Sequence, residues 1–103
     1  MKPVLIVSTY PDRNSIGKIA DQLVRSKVAA CVNIMRISSV YMWNGKIENS
    51  PEYLGLFKTT KKNSKLLKEK IRTTHPYKVP EIAEIDITSV NRPYYDWLVE
   101  STS

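Results

Sequence analysis

Cysteine is nearly absent: among 103 residues only Cys31 carries a thiol. This excludes a disulfide within the chain and any zinc site built on several cysteines. Glycine is scarce too, with Gly17, Gly45 and Gly55 alone. No glycine-rich loop is present to cradle phosphate, which excludes Walker and Rossmann nucleotide sites. No serine sits in a G-x-S-x-G context. The chain has one phenylalanine and one histidine, His75. Long apolar runs are missing as well. The opening "MKPVLIVSTYPD" has four consecutive apolar residues, Val4 to Val7. A secretory signal needs about 7–15 such residues and a membrane span about 20. The expectation is a cytoplasmic chain with no membrane contact.

What is there suits one domain spanning residues 1–103, since this length is close to the modal domain size. The net charge is +6, and its placement is uneven. The segment from Lys58 to Arg72 carries seven basic residues and one acid, Glu69. The remainder is balanced, so the whole excess comes from this one stretch. Such a run can attract nucleic acid or an acidic partner. A solvated helix face is the simpler expectation. No aromatic residue is interleaved with the lysines, and single-strand binders need stacking platforms. The RNP1 pattern of RNA-binding ferredoxin-like domains has only a distant echo in "YLGLFK". Nucleic acid is therefore not expected as a partner, although a basic nucleic-acid- or small-effector-binding module is the alternative reading.

The patterning gives an order of elements. "VLIVSTY" reads as a central strand buried on both faces. Asp12, Asn14 and Ser15 are candidate caps for a helix whose stripe is Ile16, Ile19, Ala20, Leu23 and Val24, reaching Ser26 or Lys27. "AACVNIMRISSVYMW" and "KIENSPEYLGLFKTT" flank Asn44-Gly45, a strong signal for a type I′ hairpin turn. That turn sets Trp43 opposite Lys46, Tyr41 opposite Glu48, Met35 opposite Leu54 and Asn33 opposite Leu56. Ser38, Ser39 and Pro51 fall near one level, where a bulge or bend is expected. Thr60 can cap a second helix with Leu66, Leu67 and Ile71 facing inward. "HPYKVP" stops it. "EIAEIDI" alternates as a strand, with Ala83, Ile85 and Ile87 on one face. Asn91 and Pro93 start a last short helix striped by Tyr94, Trp97 and Leu98. The result is an α+β, ferredoxin-like βαββαβ arrangement with an extended hairpin and a short C-terminal helix.

The hairpin is overlong. Arms of about 13 residues reach roughly 40 Å, over twice a typical strand. The far half, from Ser39 to Ser50, extends beyond what two helices can cover, yet it carries Tyr41, Met42, Trp43 and Ile47. Exposed apolar side chains on open edges invite pairing with another chain, and identical copies satisfy this by closed symmetry. The hairpin is read as an oligomerisation arm.

His75 stands in "THPYKVPE", between Pro76 and Pro80. It could be a metal ligand, a general base or part of a stiff corner. One imidazole makes a poor metal site, because zinc and copper use three or four ligands. Further donors would have to come from Cys31, Met35, Glu52 or another subunit. Cys31 follows Ala29-Ala30 at a strand start, where thiols are usually inert fillers. No catalytic residue is assigned, and no enzymatic activity is expected.

The strings "AACVNI", "SVYMWNGKIE", "LFKTT", "HPYKVPEI" and "YYDWL", in this order and spacing, closely resemble the CutA divalent-cation-tolerance family. The resemblance runs from "VLIVSTYPD" to Leu98. It implies a ferredoxin-like fold similar to the PII signalling proteins and a homotrimer whose hairpins pair between subunits. It implies a non-enzymatic role in tolerance of copper and other divalent metal ions, with copper or another divalent cation as the candidate cofactor. His75 is the metal ligand it implies. Ser8 and Thr74 stand where some bacterial relatives carry a cysteine and a second histidine. Of Tyr41, Trp43, Glu52, Lys58, His75 and Tyr77, all but Glu52 fall within these motifs. In a trimer they form a candidate cleft between subunits for a metal or small-molecule ligand.

Overall fold

The structure, a computed structural model, describes residues 1–103. The chain runs β1 (Pro3–Tyr10), α1 (Arg13–Arg25), β2 (Cys31–Trp43), β3 (Lys46–Thr60), α2 (Lys61–Thr74), β4 (Ala83–Asp86) and α3 (Arg92–Ser101). The four strands form one sheet in the order β2-β3-β1-β4, with every neighbouring pair antiparallel. This is the ferredoxin-like βαββαβ arrangement with a helix added.

α1 and α2 cover one face of the sheet. On β1 the side chains alternate, so Val4, Ile6, Ser8 and Tyr10 are buried while Leu5, Val7 and Thr9 are half-buried. The expected burial on both faces is thus corrected: β1 is central, but only one face is covered by helices. Phe57 of β3, opposite Ile6, joins Ile16, Ile19 and Leu23 of α1 and Leu67 and Ile71 of α2 in one apolar core. Gly55 lies on this covered face. A Cβ there would come within 2.6 Å of Phe57 Cε1 and 2.8 Å of Ile16 Cδ1, so the absent side chain lets α1 approach.

Local chemistry explains the helix ends. Asp12 caps α1, its Oδ1 accepting from the Ser15 amide at 2.7 Å. The other end closes through Lys27 at φ 62, with Val28 N–H donating to Leu23 O at 2.9 Å and Lys27 N–H to Val24 O at 3.1 Å. This is a Schellman closure on a residue other than glycine. Val24 lies at the stripe's margin and is exposed. Thr60 occupies the N-cap position of α2, but its hydroxyl makes no cap bond, and Lys61 N–H donates instead to Lys2 O at 2.7 Å. Leu66 corrects the expected stripe. It points to solvent, and Ser64 is buried beside Leu67 and Ile71, because residues 64, 67 and 71 follow the 3.6 period more closely.

The turn at Asn44 (φ 49) and Gly45 (φ 76) has two positive φ values, as a type I′ hairpin requires. From it the β2–β3 ladder runs one-to-one from Trp43↔Lys46 to Cys31↔Lys58. No bulge interrupts it, contrary to the expectation at Ser38, Ser39 and Pro51: Ser38 simply pairs with Pro51. β1 ends opposite Tyr53, so beyond that level β3 has β2 as its only neighbour. A proline is tolerated on such an edge without a bulge.

β4 is shorter than the alternating segment suggested. Glu84 faces the helices, where Lys61 Nζ pairs with one carboxylate oxygen and Lys68 Nζ lies 2.7 Å from the other. These lysines hold its carboxyl down to about 2. α3 closes the near end of the sheet through Leu98, which is buried, whereas Trp97 is exposed. No helix is long and apolar enough to cross a membrane.

Candidate functional site

The face of the sheet turned away from α1 and α2 lies open. In its distal half the β2–β3 register lines up Ile37, Ser39, Tyr41 and Trp43 against Glu52, Ser50, Glu48 and Lys46. The segment after α2 folds over this surface. There Pro76 bars His75 from helical geometry, and His75 ends α2 in an extended conformation (φ −68, ψ 136). The result is a concavity of about 890 Å³. Val7, Thr9 and Leu54 form its floor, Tyr41 and Trp43 one wall, and Tyr77, Lys78, Val79 and Glu81 the other.

Glu52 is the buried polar group of this site, 8% exposed. Its Oε2 accepts from the Tyr77 hydroxyl at 2.6 Å, the short distance of a hydrogen bond to a charged acceptor. Burial, then the Glu52 hydrogen bond and charge, push the Tyr77 phenol up, so it stays a donor. None of the ion pairs in the chain involves Glu52. Tyr41 reaches along the hairpin, its hydroxyl 3.3 Å from Ser50 Oγ.

His75 stands behind Tyr77, with ring centroids 5.1 Å apart, and stacks on Tyr10 at 4.0 Å. Both of its nitrogens are engaged. Nδ1 accepts from the Tyr77 backbone N–H at 3.0 Å, so the proton sits on Nε2, which donates to Thr9 O at 2.9 Å. Burial, outweighing the Thr9 hydrogen bond and the Glu52 charge, pulls the imidazole below its ordinary value. The neutral ring fastens the corner to the end of β1 and thereby positions Tyr77 over Glu52.

The residues expected at a cleft therefore separate within one chain. Tyr41, Trp43, Glu52 and Tyr77 line the concavity, His75 supports it from behind, and Lys58 lies elsewhere. Lys58 pairs with Cys31 and Leu5 near the other end of the sheet, its Nζ 5.6 Å from the Tyr94 ring centroid. Two lining acids escaped the sequence reading, Glu48 and Glu81. Glu48 was within reach, because the turn-defined register puts it on the same face as Glu52.

A resident metal does not fit the donors of one chain. No three groups among His, Cys, Asp and Glu converge, and a metal at His75 would have to break a hydrogen bond that holds the corner. Ser8 Oγ is buried among the core residues without a hydrogen-bond partner, on the sheet face opposite the concavity.

A ferredoxin-like sheet with one bare face, a long plain hairpin and a carboxylate–tyrosine cleft beside "HPY" defines a recognisable class of small α+β proteins. The family described as CutA1 divalent ion tolerance protein matches residues 4–101. The divalent-cation tolerance protein CutA of Thermus thermophilus is 42% identical over 103 residues, covering 99% of both chains. The crystal structure of divalent ion tolerance protein CutA1 from Ehrlichia chaffeensis superposes with a TM-score of 0.95 at 34% identity, covering 100% of this chain and 98% of that one. The Archaeoglobus fulgidus structure, described as a periplasmic divalent cation tolerance protein CutA, superposes with a TM-score of 0.94 at 32% identity, covering 98% and 99%. The chain belongs to the CutA divalent-cation-tolerance family.

Proposed function

We propose that the chain works as a non-enzymatic homotrimer in divalent-cation tolerance, with its ligand cleft completed where subunits meet. The observation that carries this reading is the uncovered apolar surface. Met35, Val40, Tyr41, Met42, Trp43 and Ile47 are all between 43% and 73% exposed in a single chain. All but Met35 occupy the two faces of the distal hairpin, whose register leaves no irregularity to blunt the edge. A monomer with this surface would be an aggregation hazard, and closed pairing of identical copies removes it.

The name of the family supports a connection to copper or another divalent cation. The donor set of one chain offers no complete centre, so His75 takes a metal in this reading only with donors from a neighbouring subunit. Sedimentation at micromolar concentration tests the assembly: a trimer is expected, and a stable folded monomer would overturn the reading. Calorimetric titration with copper tests the metal connection. His75→Ala should abolish specific uptake, and unchanged uptake would remove His75 from the proposal.

A further inference from the structure

The basic charge that the assembly leaves unused lies on the two long helices. α1 and α2 together carry nine basic and two acidic residues, and the rest of the chain seven basic and eight acidic. The helices therefore hold the whole positive excess of a protein with net charge +6. They cover the sheet face opposite the bare one that copies close over in the proposed assembly. In that reading their outer surface stays in solvent.

Ion pairing absorbs only part of this charge. Arg25 is held by Asp21, Arg72 by Glu69, and Lys61 and Lys68 share Glu84. Arg13, Lys18, Lys62, Lys65 and Lys70 are exposed and take part in no ion pair. The imbalance is sharpest at the start of α2. Lys61 and Lys62 sit at the positive pole of the helix dipole, where carboxylates are favoured. The first turn has no acid, and the Thr60 hydroxyl makes no cap bond. Like charges three and four residues apart, as Lys65 is from Lys62 and Lys61, also repel on a helix. An anion lying along this surface relieves both costs.

Composition and shape narrow the class of anion. Neither helix has an aromatic residue, so unpaired bases find no stacking platform. Two helices side by side make a convex surface, which a stiff nucleic-acid duplex meets only along a narrow line. Val24 and Leu66 are the large apolar side chains these helices expose, too little for the apolar core of a protein interface. What fits is a flexible chain that carries charge on every short unit and has no bases. We propose that the helical face binds linear inorganic polyphosphate, which runs along α2 past Lys62, Lys65 and Lys70, a span of about 12 Å, while Arg13 and Lys18 of α1 add to the attraction.

End-labelled long-chain polyphosphate is the probe, titrated with the full chain and followed by fluorescence anisotropy over a series of salt concentrations. Saturable binding is expected, with the logarithm of the affinity falling linearly against that of salt. Lys62→Gln, Lys65→Gln and Lys70→Gln combined should weaken it about a hundredfold at low salt and reduce the salt slope by about two to three. These positions are exposed, and glutamine is a good helix former, so folding should persist in circular dichroism. Lys46→Gln, at the hairpin turn, should change nothing. A DNA duplex, poly-glutamate and phosphatidylserine vesicles at equal total charge should each bind about tenfold more weakly. No binding of polyphosphate, binding indifferent to the triple substitution, or equal binding of any of the other three polyanions would overturn the proposal. Sedimentation of the same samples keeps the two readings apart. A trimer that ignores polyphosphate overturns this surface alone, whereas a monomer that binds it overturns the assembly alone.

Discussion

The two faces of the sheet are built from the same strands and have opposite fates. On the helix-covered face, Val4, Ile6 and Phe57 are fully buried and packed with Ile16, Leu67 and Ile71. On the bare face, Leu5, Val7 and Leu54 alternate with them along the same backbone and stay half-exposed. Composition does not distinguish the faces, since both are apolar. What differs is whether this chain supplies the cover. An apolar residue in a strand thus reports that a face will be covered, but not by which molecule.

Substitutions can break this contrast. The largest effect is expected at the covered face: Phe57→Ala should cost about 3–5 kcal/mol in denaturant unfolding, because it opens a cavity between sheet and helices. Ile47→Asp on the bare arm should change the unfolding free energy of an isolated chain by only about 0.5 kcal/mol, while lowering self-association in sedimentation. Equal losses from both would erase the distinction between the faces. Gly55→Ala comes next. Its methyl would meet Phe57 and Ile16 well inside contact distance, and a loss of about 1–3 kcal/mol is expected.

Acid should sharpen the contrast further. His75 has a lowered value in the fold, against 6.5 as its ordinary one. Its contribution is complete above that ordinary value and is lost as pH falls from it through the lowered one, because the unfolded chain takes up the proton first. Glu84 follows the same sign in a lower window, with stability lost as pH falls from about 4.5 towards about 2. Unfolding measured against pH should therefore decline in two stages. His75→Gln should remove only the upper stage, and a profile unchanged by that substitution would contradict the corner geometry. The smallest effect is a gain. Lys27 holds a left-handed conformation at φ 62, so Lys27→Gly should stabilise the chain by about 1 kcal/mol, as a shift in thermal midpoint.

Much of the fold was legible because its signals are local. The Asn44-Gly45 turn fixed the hairpin register over thirteen pairs, and Asp12 marked the start of α1. The adjacent leucines at 66 and 67 left the α2 stripe ambiguous by one position, and only packing against the sheet decides for Ser64. The site was less legible. Tyr77 meets Glu52 across 25 residues of sequence and His75 meets Thr9 across 66. Neither pairing follows from spacing, because both depend on how the segment after α2 folds back. Lys58 belongs to the expected cleft only across subunits: within one chain its place in the ladder, opposite Leu5 and Cys31, holds it away from Glu52 and Tyr77.

The unbroken ladder of the arm has a consequence for how such a protein can change. Extending both strands equally beside the turn leaves every existing pair and its faces in place, whereas adding a residue to one strand alone forces a bulge or a one-residue slip that turns its side chains to the other face. The reach of the hairpin is thus adjustable in discrete steps, leaving the packed body untouched. Lengthening or trimming by whole pleats could alter what the tip meets without asking the rest of the molecule to refold.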